Sequence, residues 1–219
     1  MVRIAMPVFS ADKFKNYFAA LNAFGAEGVI IGANADPSGF DGLLLPGGGD
    51  VNPARYGQEM AGSNPPDEAL DALQLAAAKR FDLAGKVMFG ICRGHQVLNV
   101  YYGGTLIQHL PTSETHQTLE GQPRDKIHPS RANPGSWLET LYGSGFVVNS
   151  AHHQAVDRPG SGLVIDQYAE DGVIEGMHHE NGRVFSVQWH PERMCLAHRH
   201  EDTADGSLVL RFFLERCLR

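Results

Sequence analysis

Lys86-Val87-Met88-Phe89-Gly90-Ile91-Cys92-Arg93-Gly94 (residues 86–94) joins a short apolar run to a helix-compatible stretch over residues 94–102. A continuous apolar run of this length, bounded by a turn, predicts a strand buried on both faces. The cysteine stands at the junction, with Gly90 two residues before it and Gly94 two residues after. This is a G-x-C-x-G form of the nucleophile elbow, a strained strand-to-helix turn that exposes one side chain. Side chains at either glycine would meet neighbouring backbone. The helix N-terminus favours the thiolate, Arg93 adds positive charge, and its amide is placed to donate into an oxyanion hole. A buried structural cysteine is the competing reading; the strand–elbow–helix context favours catalysis.

Working outward, strand and helix patterns alternate through the first half. Residues 3–8, 28–32 and 41–46 predict strands, the second and third of them buried on both faces. Residues 12–24 place Phe14, Phe18, Leu21 and Phe24 at helical spacing, and Gly25 stops that helix. Residues 67–83 carry Leu70, Leu73, Ala77 and Phe81 along one stripe of a second helix. Such alternation implies βαβ units and a mainly parallel sheet flanked by helices. Residues 106–137 are polar and aperiodic, and predict a long loop or pocket-forming insertion. Strand signals resume at 145–149, 163–168, 173–178 and 183–188, with Asn181-Gly182 as a hairpin turn between the last two. They add an antiparallel portion in the C-terminal half. Residues 205–218 close as a helix with Leu208, Phe212 and Leu218 on one side. No repeat or linker divides the chain, so residues 1–219 predict one α/β domain.

Composition narrows the function. Glycine supplies 25 of 219 residues, above the average of about 7%, with no collagen-like period, so the excess marks special backbone positions. A net charge of −7 argues against a nucleic-acid surface. No apolar run is long enough for a membrane span, and the N-terminal residues do not resemble a signal peptide. Three cysteines (Cys92, Cys195, Cys217) form no disulfide framework. A cytoplasmic location is expected, and an unpaired edge strand leaves a homodimer open.

Two further segments carry chemistry. Leu43-Leu44-Leu45-Pro46-Gly47-Gly48-Gly49-Asp50 ends a predicted parallel strand in three glycines, where ligands of open α/β sheets gather. Its amides suit an anion. The phosphate reading lacks a Walker or G-x-G-x-x-G pattern, and a second oxyanion donor beside Cys92 is the sharper expectation. Val187-Gln188-Trp189-His190-Pro191-Glu192 ends the last strand. Residues two apart in an extended segment share a face, so Glu192 orients His190, which exchanges protons with Cys92. The histidine doublets 152–153 and 178–179 lack HExxH or paired CxxC spacing. Neighbouring strand residues point to opposite faces, and no metal is expected.

These motifs together resemble the class I glutamine amidotransferase family, closest to its stand-alone γ-glutamyl hydrolases acting on γ-glutamyl-GABA and related amides. The resemblance rests on residues 43–57, GICRGHQVLNVYYGGTLIQHLP (90–111), VNSAHHQAV (148–156), DGVIEG (171–176) and VQWHPE (187–192). It implies a Cys92–His190–Glu192 triad on a flavodoxin-like sheet, with oxyanion amides at Gly47 or Gly48 and at Arg93. It also implies substrate contacts from Gly49, Gln96, Ser150, His152 and His153, a γ-glutamyl thioester, and no cofactor. His109 departs from the family pattern, which has Asp there, and the segment between the first strand and helix is shortened. A glutaminase subunit delivering ammonia to a synthetase, and a non-catalytic binding protein that keeps the fold, are the alternatives.

Overall fold

The computed structural model describes residues 1–118, 121–122 and 124–219. Five parallel strands form one half of a mixed sheet: β1 (Val2–Met6), β2 (Ala26–Ile30), β3 (Gly42–Leu45), β4 (Val87–Ile91) and, from the far end of the chain, β11 (Val184–Val187). They lie in the order β2-β1-β3-β4-β11. The other half is antiparallel and continues through β10 (Ile174–His179), β9 (Leu163–Ala169), β6 (Lys126–Ala132) and β7 (Gly145–Ser150). Two short strands, β5 (Leu106–Ile107) and β8 (Ala155–Val156), pair beside β10.

Period-two alternation splits the core between the two faces. Leu44 and Phe89 pack with Ile4, Val187 and Phe213 on the face covered by α1 (Lys15–Ala23), α5 (Trp137–Tyr142) and α6 (Ser207–Cys217). Leu43, Leu45 and Met88 pack with Phe81 and Leu98 on the face covered by α2 (Glu68–Leu83) and α3 (Arg93–Tyr101). Asp67 caps α2 by accepting from the Leu70 amide at 2.9 Å. Among the described residues, no helix is long and apolar enough to cross a membrane.

Three expectations need correction. Residues 28–32 do not form a strand buried on both faces: among the described residues β2 pairs only with β1, at the sheet edge, and Ile30 is 43% exposed. The stretch 106–137 is not one long loop. It contains β5, the short helix α4 (Ser113–His116) and the seven-residue β6, although residues 119, 120 and 123 lie outside the described residues. β6 escaped notice because its inward face carries His128 and Ser130 beside Ala132, so no hydrophobic alternation marks it. On α6 the buried stripe is Val209, Leu210, Phe213 and Leu214, while Leu218 is 71% exposed. Apolar residues occur on both sides of that helix, and the sheet selects the set one residue away from Leu208 and Phe212.

Candidate active site

The site forms where β3, β4 and β11 end side by side. Cys92 follows β4 with φ 52° and ψ −107°, a combination that a side chain adopts only under strain. Its amide donates to the Val187 carbonyl at 2.9 Å, tying the elbow to the end of β11. Both flanking glycines are sterically required. A Cβ on Gly94 would lie 2.0 Å from the Leu45 carbonyl oxygen, and one on Gly90 would lie 2.6 Å from that of Gly94.

His190 is buried beside the elbow. Its Nδ1 lies 2.8 Å from Glu192 Oε1. Glu192 does not reach it by strand alternation, as the sequence suggested. The chain leaves the extended conformation at His190 and enters a 3-10 turn over Pro191–Arg193, a start that proline's fixed φ favours. Asn149 clamps the His190 backbone, accepting from its amide at 2.8 Å and donating to its carbonyl at 3.1 Å. Burial opposes charge on the imidazole, but the Glu192 carboxylate and the Cys92 sulfur outweigh it and push His190 up to about 10. Burial likewise penalises the Glu192 carboxylate, and His190 reverses that penalty, holding Glu192 below its usual range.

The glycine loop separates its members. The Gly47 amide, one of the two expected oxyanion donors, is already engaged by Tyr17 Oη at 2.9 Å, while Gly48 lines the Cys92 cavity. Tyr17 Oη also lies 3.4 Å from His190 Nδ1. Burial foremost, with the nearby Glu192 carboxylate, raises the Tyr17 pKa well above its ordinary value, so the phenol stays neutral. Tyr17→Phe leaves the Gly47 amide without its partner, and we expect a loss of about 1–3 kcal/mol in urea unfolding.

The Arg93 side chain does not enter the site. Its guanidinium is buried against Asp71 and Gln74, and its stem packs over Gly48. The backbone amide of Arg93 stays with the elbow.

A cavity of about 50 Å³ opens on Cys92, lined also by Gly48, Gly49, Gln96, His152 and His153. Gln96 is held by donating to Gln154 O and Gln188 Oε1, both at 3.1 Å. His153 contacts Asp50 at 2.9 Å and His109 at 3.0 Å, so the unusual histidine at 109 stands directly behind the cavity wall. Burial pushes His152 down to about 4, leaving it neutral. Ser150 is the exception among the expected contacts: its hydroxyl turns away from the cavity to His116, at 3.3 Å. A larger groove of about 280 Å³ is lined by Arg124, Asp125 and Arg193 but excludes Cys92. The reactive groups, not volume, identify the smaller cavity.

Sequence reasoning missed Tyr17, Asn149 and Asp50. Tyr17 did carry a faint signal, a hydroxyl within the apolar stripe of α1. Asn149 carried none, because its partner is 41 residues away.

Known proteins resemble this chain over most of its length. The profile of the family described as peptidase C26 matches residues 14–192. A Schizosaccharomyces pombe protein, named provisionally as a glutamine amidotransferase, is 34% identical over 97% of this chain and 85% of its own length. A Mycobacterium tuberculosis protein with the same provisional name is 40% identical over 69% of this chain, which spans 50% of that protein. The fold also superposes on the crystal structure of a Thermoplasma acidophilum protein whose provisional name is that of a GMP synthase component. The TM-score is 0.71 at 19% identity, covering 100% of this chain and 94% of that one. With an elbow cysteine at the carboxyl ends of its parallel strands and a family match extending from α1 to Glu192, the chain belongs to the peptidase C26, class I glutamine amidotransferase-like family of hydrolases.

Proposed function

We propose that the chain hydrolyses the γ-glutamyl amide bond of a small γ-glutamyl amine, such as γ-glutamyl-GABA, through a γ-glutamyl thioester. The observation that carries this reading is the strained Cys92 facing a small cavity, with the hydrogen-bonded His190–Glu192 pair against it. In this reading the Cys92 thiolate attacks the γ-carbonyl, and the Gly48 and Arg93 amides receive the oxyanion. Each such donor contributes about 3–4 kcal/mol of transition-state stabilisation. His190 gives its proton to the departing amine, then takes one from the water that cleaves the thioester. Gln96 and His153 hold the amino-acid end of the glutamyl group. The parallel strand order β2-β1-β3-β4-β11 supports a flavodoxin-like assignment for that half of the sheet.

The pH dependence follows from His190. Its folded pKa, about 10, lies above the usual value of about 6.5. Its contribution to stability is therefore full below about 6.5 and lost as pH rises through about 10. The lowered Glu192 acts oppositely, stabilising above the ordinary carboxylate range and losing that contribution as pH falls. We expect kcat/KM to decline on the alkaline side as His190 loses the proton destined for the amine. Glu192→Gln should bring that limb down by about one pH unit or more, read from kcat/KM profiles of the two proteins.

The substrate test is a panel of γ-glutamyl amides and glutamine, assayed by mass spectrometry on the purified chain alone. Unaided turnover of γ-glutamyl amines in preference to glutamine is expected. A glutaminase subunit is the second reading, favoured by a 33% identical match over 68% of this chain to the Mycobacterium leprae carbamoyl phosphate synthase small chain. Glutamine hydrolysis that appears only when a synthetase is added would establish it instead. A γ-glutamyl chloromethyl ketone that leaves Cys92 unmodified in folded protein would favour a binding protein.

A further inference from the structure

A second constellation shares His152 with the cavity wall. His116 at the end of α4, His128 in β6, His152 just after β7 and Glu175 in β10 are all buried. One ligand atom from each lies within 4.8 Å of all the others. Glu175 Oε1 stands 3.7 Å from His116 Nδ1, 3.6 Å from His128 Nε2 and 3.5 Å from His152 Nε2. These distances are too long for hydrogen bonds. They are close to the edge of a tetrahedron around zinc, about 3.4 Å for bonds of about 2.0–2.1 Å.

The outer nitrogen of every ring fixes its tautomer. His116 Nε2 donates to Asp171 Oδ2 at 2.9 Å, His128 Nδ1 to the Pro129 carbonyl at 3.0 Å, and His152 Nδ1 to the Gln154 carbonyl at 2.9 Å. Each ring therefore turns a lone pair inward. The Ser150 hydroxyl, 3.3 Å from His116 Nδ1, is the one hydrogen-bonding group recorded on those inward atoms among the described residues. Among the described residues, His128 Nε2, His152 Nε2 and both Glu175 oxygens have no hydrogen-bond partner. Four acceptors thus face one another in a buried space, an arrangement that costs free energy unless something electropositive sits between them.

We propose that His116, His128, His152 and Glu175 bind one divalent transition-metal ion, zinc by donor set and geometry. Three neutral imidazoles and one carboxylate suit it. Four protein ligands leave no open position, so the ion is structural. The Asp171 carboxylate behind His116 offsets the remaining positive charge and orients the ring, as carboxylates hydrogen-bonded to a ligating histidine do. The ion joins α4, β6, the segment after β7 and β10, and so fixes the His152 wall of the Cys92 cavity. The sequence expectation of no metal rested on absent motifs and on doublets facing opposite ways. The doublet does split, with His153 facing Asp50, and the other ligands come from three distant segments.

The test is metal analysis of the full-length chain by plasma mass spectrometry. About one zinc per chain is expected, coordinated by four nitrogen or oxygen atoms in X-ray absorption. His128→Ala and Glu175→Gln should lose it, while His153→Ala keeps it. If either ligand variant fails to fold, the wild type decides the question. Stripping with a strong chelator should lower its Tm, and zinc should restore it. A wild-type chain that holds no stoichiometric metal after growth with added zinc, and whose Tm ignores zinc, overturns the proposal. So does undiminished metal in both folded ligand variants.

Discussion

Cys92→Ala and Cys92→Gly should both abolish γ-glutamyl amide hydrolysis, lowering turnover by about 10⁴-fold or more, yet differ in stability in an unusual order. Glycine normally costs about 0.5–1 kcal/mol relative to alanine through lost chain entropy. At φ 52° and ψ −107°, however, alanine keeps the strain of the elbow, which at such positions amounts to about 1–3 kcal/mol. Cys92→Gly is therefore expected to be the more stable variant, by about 1 kcal/mol in urea unfolding. The pair of measurements separates chemistry from backbone. Wild-type hydrolysis by Cys92→Ala would sink the nucleophile assignment. Alanine proving more stable than glycine would sink the strain argument and leave the chemistry standing.

Gly94→Ala should be the most damaging single-methyl addition near the site. Gly94 lies in the first turn of α3, where replacing glycine by alanine ordinarily gains about 1 kcal/mol of helix propensity. Here the added Cβ would sit 2.0 Å from the Leu45 carbonyl oxygen and 2.7 Å from its carbon. Both are backbone atoms of a central strand, so neither can rotate away. The helix must shift off β3, and a loss of about 3 kcal/mol or more is expected, together with most of the activity. Gly49→Ala is the control for stability. Its Cβ would meet nothing among the described residues within 4 Å, so its unfolding free energy should stay within about 0.5 kcal/mol of wild type. Equal stability of all three proteins would contradict the close packing of α3 on β3.

Much of this was legible in the chain because the relevant physics is local. The apolar runs of β3 and β4, the stripe of α2 and the Asn181-Gly182 hairpin express backbone periods that neighbouring residues impose on one another. The elbow is equally local, since Gly90, Cys92 and Gly94 lie within five residues, and so is the His190–Glu192 pair, although a 3-10 turn rather than a strand joins it. β6 was illegible for a reason the fold makes plain. Its inward face is polar because His128 serves a buried cluster, and a strand whose buried side carries histidine and serine has no hydrophobic rhythm to detect.

The polypeptide's local chemistry pointed to most of the element types and to the proposed nucleophile and base. It left open which strand ends are neighbours. That β11 inserts beside β4, bringing His190 to Cys92 across nearly a hundred residues, depends on the order of the sheet. So do the diversion of the Gly47 amide to Tyr17, the clamp of Asn149 on His190, and the convergence of His116, His128, His152 and Glu175. Each joins segments far apart in the chain, and side chains that distant acquire a fixed relation only when the intervening strands have paired and packed.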